Sequence, residues 1–92
     1  MTDEEYRGPA VVQAGGTAYP VEIRLSARFE PVEGRFRWAG RTAPHTALRA
    51  RLGEARLVLP GAPAVPVRLS EPDPWGAVRL TGTGRPPWRV AS

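Results

Sequence analysis

The sequence predicts an all-β fold, a small antiparallel barrel or a two-layer sandwich of about six short strands with one short helix or 3₁₀ turn. Three observations support this class. Apolar and polar residues alternate along most of the chain, which is the pattern of half-buried strands. The 11 prolines and 10 glycines separate these segments as turns. The spacing leaves no room for the helical crossovers that a parallel sheet needs.

The length of 92 residues fits a single domain over residues 1–92. We expect residues 1–6 to be flexible and residues 7–90 to form the β-domain. A domain of this size buries only a thin core, so each large apolar side chain matters. A deep, enclosed active site is therefore not expected.

The first half of the chain predicts a three-stranded meander. The first strand runs from Gly8 to Ala14, and Gly15-Gly16 after it is a tight hairpin signal. The second strand has the most regular alternation, and its apolar face comprises Val21, Ile23, Leu25, Ala27 and Phe29. After a turn at 31–34 comes a third strand, whose inward positions are Phe36, Trp38 and Gly40.

The second half predicts one helical turn and three further strands. Ala47, Leu48 and Leu52 have helical spacing, and they predict a short helix or 3₁₀ turn between residues 43 and 53. Alternation then predicts strands at 55–59, 65–69 and 77–83. Pro66 indicates an edge strand or a bulge. Of the two architectures we prefer the barrel, because closure removes edges that would pair with other chains.

Arginine carries all of the basic charge. The formal net charge is +4 and the isoelectric point about 11.0, and the basic residues are 13 arginines. A basic chain favours anionic partners, but frequent Arg, Ala, Gly and Pro also indicate a GC-rich coding sequence. The lack of cysteine excludes disulfides and thiolate metal sites. An acidic N-terminus without a long apolar run predicts neither a signal peptide nor a membrane span, so we expect a cytoplasmic protein.

Two runs near the C-terminus resemble a bacterial family. They are Ser70-Glu71-Pro72-Asp73-Pro74-Trp75-Gly76 and Thr81-Gly82-Thr83-Gly84-Arg85-Pro86-Pro87. Residues 6–10 and 29–41 resemble the family too, so the similarity spans nearly the whole chain. That family is a domain of unknown function, found as small stand-alone proteins and after the catalytic part of flavin-dependent monooxygenases. The chain resembles the stand-alone form, and the resemblance implies an accessory domain without assigned catalytic residues.

Turn-rich segments in the second half hold the main candidate binding residues. Asp73-Pro74-Trp75-Gly76 predicts a rigid turn, on which Trp75 could be an exposed stacking platform beside Arg79 or Arg85. The segment 84–88 is either a polyproline II docking peptide or a strap whose Trp88 closes one end of the core. The candidates are Trp75, Arg79, Arg85 and Trp88, with Arg37 and Arg41 as secondary candidates.

Arginines also form a stripe on the third strand and its neighbour. The stripe comprises Arg24, Arg28, Arg35, Arg37 and Arg41. One interpretation is a solvated face on which carboxylates offset the charge through cross-strand pairs, namely Glu22, Glu30 and Glu33. The other is a nucleic-acid-binding barrel, whose affinity would fall steeply with salt. Phe36 and Trp38 have the opposite parity, which assigns them to the core and not to base stacking.

The sequence predicts no catalytic residue, metal ligand or cofactor. His45 is the single histidine and has no second His or Cys with which to share a metal. As a general base it would need a carboxylate such as Asp73 or Glu54, which only the tertiary fold could bring near.

The leading hypothesis is a non-catalytic accessory or binding domain that contacts a flavin-dependent oxidoreductase or a small hydrophobic ligand. One alternative is the nucleic-acid-binding barrel. A second is a small enzyme that acts on a hydrophobic intermediate in the barrel mouth. We expect no membrane partner and either a monomer or a homodimer.

Overall fold

The alternating segments form six antiparallel strands that close into a barrel. A computed structural model describes residues 4–84 and 86–88. The elements are β1 (Glu4–Ala14), β2 (Thr17–Glu30), β3 (Arg35–Thr42), a 3₁₀ helix (Thr46–Ala50), β4 (Gly53–Val58), β5 (Val65–Ser70) and β6 (Arg79–Thr83). Around the barrel the strand order is β1-β2-β3-β6-β5-β4, and β4 pairs back with β1. The predicted all-β class is therefore confirmed, and the barrel is the architecture of the two that forms.

The antiparallel pairing gives the barrel two distinct ends. The upper end carries the Gly15–Gly16 hairpin, the 3₁₀ helix and the loop from β5 to β6. The lower end carries the start of β1, the turn from β2 to β3, the loop from β4 to β5 and the end of β6. Candidate residues can therefore be assigned to one end or to the outer wall.

Alternate positions of every strand point inward and form a single apolar cluster. Its buried members are Ala10, Val12, Val21, Ile23, Leu25, Ala27, Trp38, Leu48, Leu57, Leu59, Val67, Leu69, Val78 and Leu80. Leu48 comes from the 3₁₀ helix and closes the upper end. The interior is thus occupied by packed side chains, which leaves the polar chemistry to the outer face.

The polyproline segment lies over the lower end. Pro86 and Pro87 are buried, and the half-buried Trp88 packs against the core cluster. The Trp88 ring centre lies 6.4 Å from that of Tyr6 at the start of β1. This is the position that the strap interpretation predicts for Trp88. The indole adds buried apolar area to a small core.

Several boundaries and orientations differ from the sequence expectations. The first strand begins at Glu4, before the expected strand start at Gly8, and β6 begins at Arg79 instead of residue 77. Phe29 is 38% exposed because it lies beyond the barrel wall at the lower end, where its ring packs on Phe36. Leu52 is 48% exposed because the 3₁₀ helix ends at Ala50 and so does not turn it inward. No helix within the described ranges is long and apolar enough to cross a membrane.

Candidate binding surface

Four arginines lie side by side across the outer wall of the barrel. The pairing register sets Arg7 opposite Arg24, Arg24 opposite Arg41, and Arg41 opposite Arg79. We call this set the arginine row. Adjacent strands are about 4.8 Å apart, so the row spans roughly 14 Å over β1, β2, β3 and β6. Like charges at directly opposed positions repel one another, and carboxylates or a bound anion would relieve this repulsion.

A single carboxylate within the described ranges makes an ion pair with the arginine row. Asp73 Oδ2 lies 3.8 Å from Arg41 Nη1. Among the residues that the structure describes, Arg7, Arg24 and Arg79 have no ion-pair partner. Each of these side chains is exposed or half-exposed. The arginine row therefore carries positive charge that faces solvent.

The same aspartate fixes the turn that bears Trp75. Asp73 Oδ1 accepts hydrogen bonds from the backbone N–H of Trp75 and of Ala77, both at 2.9 Å. Gly76 N–H donates to Asp73 O at 3.0 Å. The backbone of Gly76 has a φ of 96°, a left-handed value that favours glycine. The predicted rigid turn is present, and it holds Trp75 with 78% of its surface exposed.

Three further hydrogen bonds fasten this turn and the residues after it to the end of β3 and the loop that follows. His45 N–H donates to Gly76 O at 3.1 Å. Thr42 N–H donates to Val78 O at 3.0 Å, and Val78 N–H donates to Thr42 Oγ1 at 3.1 Å. The turn and the β3 end thus form one unit at the upper end, and Trp75 is presented beside the arginine row on a well-anchored backbone.

An open groove lies on the wall below the arginine row, and we call it the wall groove. The pairing of β5 with β6 runs only from Ser70–Arg79 to Arg68–Thr81. Beyond that point residues 65–67 of β5 and residues 82–83 of β6 separate, and they line a groove with a volume of about 720 Å³. Pro66, which has no N–H to donate, lies in this stretch of β5, where the strand pairs with β4 alone.

Trp38 lies beneath the wall groove. Its indole is 2% exposed, and Nε1 has no hydrogen-bond partner within the described ranges. The six-membered ring lies directly against Gly82 of β6, where a Cβ would overlap its Cε2, Cζ2 and Cη2 atoms. Position 82 must therefore be glycine for the indole to fit, because any Cβ there would overlap the ring.

The rim of the wall groove carries mixed charge. Arg37 donates to Glu33 through Nε and Nη2, both at 3.1 Å, and Arg68 Nη1 donates to Glu54 at 3.0 Å. Exposed ion pairs of this kind contribute little to stability. Arg28, opposite Arg37 in the register, has no ion-pair partner among the described residues. The cross-strand offsetting of charge that the sequence suggested thus applies to part of the stripe.

A second open groove of about 690 Å³ runs along the arginine row itself. Its charged lining consists of Glu5, Arg7, Glu22, Arg24 and Arg41. Three arginines and two glutamates are interspersed here, so this groove keeps a net positive charge. A uniform line of phosphates would meet two carboxylates in this groove.

Comparison with known proteins assigns the chain to a family. Residues 3–90 match the family described as "Domain of unknown function (DUF4873)". The chain belongs to this family. The C-terminal runs predicted a domain of unknown function, and this prediction is confirmed. The match covers nearly the whole chain.

Longer mycobacterial proteins contain a segment similar to this DUF4873 domain. They include the uncharacterized proteins Rv0943c and MT0969 of Mycobacterium tuberculosis and Mb0968c of Mycobacterium bovis, each 30% identical over 89 residues. The match covers 94% of this chain and 25% of each relative. The chain therefore spans about a quarter of the length of the curated relatives it matches. No solved structure matches the chain.

The candidate residues of the DUF4873 domain fall into three places. Arg41 and Arg79 belong to the arginine row, and Asp73 links Arg41 to the turn that carries Trp75. Arg37 lies on the rim of the wall groove together with Arg79. Trp88 lies at the lower end against Tyr6, away from the turn that carries Trp75. Arg85 lies outside the described residues.

His45 has no carboxylate partner in the described part of the DUF4873 domain. Its ring packs edge-on against Tyr19 with centroids 5.8 Å apart, and Nδ1 is buried without a hydrogen-bond partner. Asp73 uses its oxygens for the Trp75 turn and Arg41, and Glu54 pairs with Arg68. Within residues 4–84 and 86–88, no group of three or more His, Cys, Asp or Glu side chains could hold a metal ion.

Sequence reasoning missed two parts of this surface. Arg7 was missed because it precedes the predicted first strand, Gly8 to Ala14, although the pairing of that strand with the second was predicted. Arg79 was a candidate, but its place beside Arg41 depends on the β3–β6 pairing, which single-sequence patterns do not reveal. Gly82 lies near the end of the predicted last strand, but the sequence did not predict that the Trp38 indole packs directly against it. Its signal was a glycine at an inward position of an alternating strand, which often marks such an approach.

Proposed function

We propose that this DUF4873 domain is a non-catalytic accessory domain that docks on an acidic surface of a protein partner, and that this partner is a flavin-dependent oxidoreductase. The observation that carries the proposal is the arginine row, in which only one of four directly opposed arginines, Arg41, has an ion-pair partner among the described residues. Bringing acidic side chains against the row would relieve its internal repulsion. That relief is a favourable term in binding and a source of electrostatic steering.

Trp75 supplies the apolar part of the proposed contact. Tryptophan and arginine are the residues most enriched among those that dominate interface energies. Trp75 is 78% exposed, and two hydrogen bonds to Asp73 already hold the backbone of its turn. Binding would therefore cost little backbone conformational entropy at this turn. Trp75 would therefore be the apolar anchor of the proposed interface, and the arginine row would supply the charged contacts beside it.

The choice of a protein over a nucleic acid rests on two features. Single-stranded nucleic acids bind where several aromatic rings stack on successive bases. Among the tryptophans that the structure describes, only Trp75 is exposed beside the arginine row, and Trp38 is buried in the core. Glu5 and Glu22 are interspersed with the arginines in the second groove and would repel phosphates. Nucleic-acid binding is thus the weaker alternative, and it predicts a steep loss of affinity with salt.

A reaction inside the barrel is not favoured. The inward side chains form one contiguous cluster with exposures of 9% or less. Both grooves described above open on the outer face instead. These features support surface binding over conversion of a hydrophobic intermediate within the barrel mouth.

The proposed partner class follows from context. The similar segment makes up only a quarter of each mycobacterial relative, so in those proteins it adjoins a larger portion of chain. The resemblance to a domain appended to flavin-dependent monooxygenases suggests what that neighbour is in some chains.

Binding to purified enzymes tests the proposal directly. Each flavin-dependent monooxygenase encoded in the genome of origin is expressed with its flavin, and its affinity for the immobilised domain is measured by biolayer interferometry. We expect saturable binding to at least one enzyme. Arg24→Glu and Trp75→Ala should each weaken that binding about tenfold or more.

Arg56→Glu is the matched control, because Arg56 is exposed on β4 and lines neither groove. It should leave the affinity within about twofold of the parent. Equal losses for Arg24→Glu and Arg56→Glu would mean that net charge, and not the arginine row, governs binding. Absence of binding across all of the enzymes, or tight binding to a single-stranded oligonucleotide instead, would overturn the proposal.

A further inference from the structure

We infer that the wall groove binds a small organic anion, namely a carboxylate or phosphate attached to an apolar, planar body. This ligand site adjoins the docking surface proposed above, and Arg79 belongs to both. Its defining residues are Trp38, Gly82 and Arg28, none of which belongs to the arginine row. The following features of the barrel wall carry the inference.

The first feature is a break in the barrel wall. The β5–β6 ladder stops at the pair Arg68–Thr81, although both strands continue, to Val65 on one side and Thr83 on the other. Residues 65–67 and 82–83 all line the wall groove. A closed barrel would normally pair these positions. The opening has a volume of about 720 Å³, which is within the range of small-molecule sites.

The second feature is an orphaned donor at the floor. Nε1 of the almost completely buried Trp38 has no hydrogen-bond partner in the described part of the chain. Buried indole N–H groups usually have one, because an unsatisfied buried donor costs free energy. The indole atom bonded to Nε1, Cε2, lies against Gly82, which has no side chain to cover it. An acceptor oxygen held in the groove beside Gly82 would face this edge of the indole.

The third feature is the electrostatic balance of the lining. The groove is lined by four arginines, Arg28, Arg37, Arg68 and Arg79, and by two glutamates, Glu30 and Glu54, which gives a net charge of +2. Both glutamates already contact arginines, at 3.6 Å from Arg37 and 3.0 Å from Arg68. Arg28 and Arg79 have no such partner among the described residues, and hydroxyls of Ser26, Thr81 and Thr83 add further hydrogen-bonding groups.

The fourth feature is apolar. Ala27, Trp38, Val65 and Val67 line the inner part of the groove. Charged donors at the rim and apolar groups toward the floor match a ligand with an anionic end and an apolar body. A bare inorganic anion would use the rim and leave the floor and Nε1 unsatisfied.

The test follows the three indole N–H signals of the ¹⁵N-labelled full chain by NMR, each assigned from a Trp→Phe variant. The probes are 1-naphthoate, 1-naphthyl phosphate, uncharged 1-naphthalenemethanol and inorganic phosphate. We expect both naphthyl anions to shift the Trp38 indole signal saturably, while Trp75 moves little. The neutral alcohol should bind at least about tenfold more weakly, as expected when a charge-assisted contact is lost.

Arg28→Gln should weaken binding of the naphthyl anions about tenfold, whereas Arg56→Gln should not change it. Thr83→Trp fills the opening from an exposed position and provides a second blocking variant, whose folding is checked by its unfolding midpoint. Absence of a Trp38 shift with either naphthyl anion would overturn the inference. The inference would also be overturned if the alcohol bound as tightly as the naphthyl anions, or if Arg28→Gln bound the anions as tightly as the parent chain. A Trp38 shift caused by inorganic phosphate alone would overturn it as well.

The two proposals fail separately. Arg24→Glu and Trp75→Ala, which are expected to weaken docking on an enzyme, should leave naphthoate binding unchanged because neither residue lines the wall groove. If the domain binds naphthoate but no oxidoreductase, the ligand site is supported and the proposed partner is wrong. If it binds an oxidoreductase but no naphthyl anion, the proposed partner is supported and the ligand site is wrong.

Discussion

The indole of Trp38 on β3 occupies the space in which any residue other than glycine at position 82 of β6 would place its Cβ. This relationship allows the largest buried side chain of the domain to pack across a barrel wall of only six strands. It also leaves the wall thin over the indole, at the place where β5 and β6 separate. Packing and the candidate ligand site therefore depend on the same pair.

Gly82→Ala should destabilise the domain by about 2–3 kcal/mol, because the added methyl group forces the indole or the strand to shift. The free energy of unfolding in urea gives the value. The double variant with Trp38→Phe is the control, since phenylalanine lacks the benzo ring that meets Gly82. Gly82→Ala should cost at least about 1 kcal/mol less in that background. Equal costs in both backgrounds would contradict the close approach.

Replacement of Asp73 should separate the role of its acceptor oxygen from that of its charge. Asp73→Ala removes the acceptor for Trp75 N–H and Ala77 N–H and should cost about 1–3 kcal/mol. Asp73→Asn keeps a carbonyl oxygen at that place, and the ion pair it loses with Arg41 is long and exposed, so it should cost less than about 1 kcal/mol. Urea unfolding of both variants provides the test, and equal losses would mean that the charge and not the turn matters.

The two tryptophans outside the core should differ in their effect on stability. Trp88→Ala removes a half-buried ring that packs on the core and on Tyr6, and it should cost about 2–4 kcal/mol. Trp75→Ala removes a ring that is 78% exposed, and it should change stability by less than about 0.5 kcal/mol. Thermal and urea unfolding would measure both. A large loss for Trp75→Ala would contradict its assignment to binding.

Tyr6 should make the stability of the domain fall at high pH. Desolvation by burial and, second, the negative charge of Glu22 raise the pKa of Tyr6 above its usual value. The folded state therefore holds the phenol proton more tightly than the unfolded state. The stabilisation is complete below about pH 10, the pKa of an unfolded tyrosine, and is lost as the pH rises through the higher folded value.

Urea unfolding between about pH 9 and pH 11 checks this prediction against Tyr6→Phe. The variant loses the hydrogen bond from the Tyr6 hydroxyl to Pro9 O, at 2.6 Å, so its stability should start lower. Its decline over the same pH interval should be shallower than that of the parent chain. Parallel declines would assign the pH dependence to other groups.

The sequence predicted the elements of the fold because alternation is a local property. The run from Val21 to Ala27 is buried at every second residue, as its pattern requires. Phe29 continues the pattern but lies past the end of the wall, and alternation does not report where a barrel ends. Leu52 was assigned by helical spacing to a helix that stops two residues earlier.

The candidate surface was less predictable, because it depends on which strands become neighbours. Arg24 and Arg41 share a hairpin, so their proximity followed from the sequence. Arg79 is nearly forty residues from Arg41 in the chain, and only the β3–β6 pairing brings the two together. The Asp73 turn was recognisable from its residue types, whereas its contact with Arg41 was not.

The most direct test of the proposed function is a hydrogen-exchange footprint of the domain in complex with the monooxygenase that binds it most tightly. We predict slowed amide exchange in the turn at residues 73–77 and along β2 and β3 around Arg24 and Arg41, with β4 unchanged. Protection confined to β4 or to the lower end around Trp88, or no stable complex with any of the enzymes, would contradict the account.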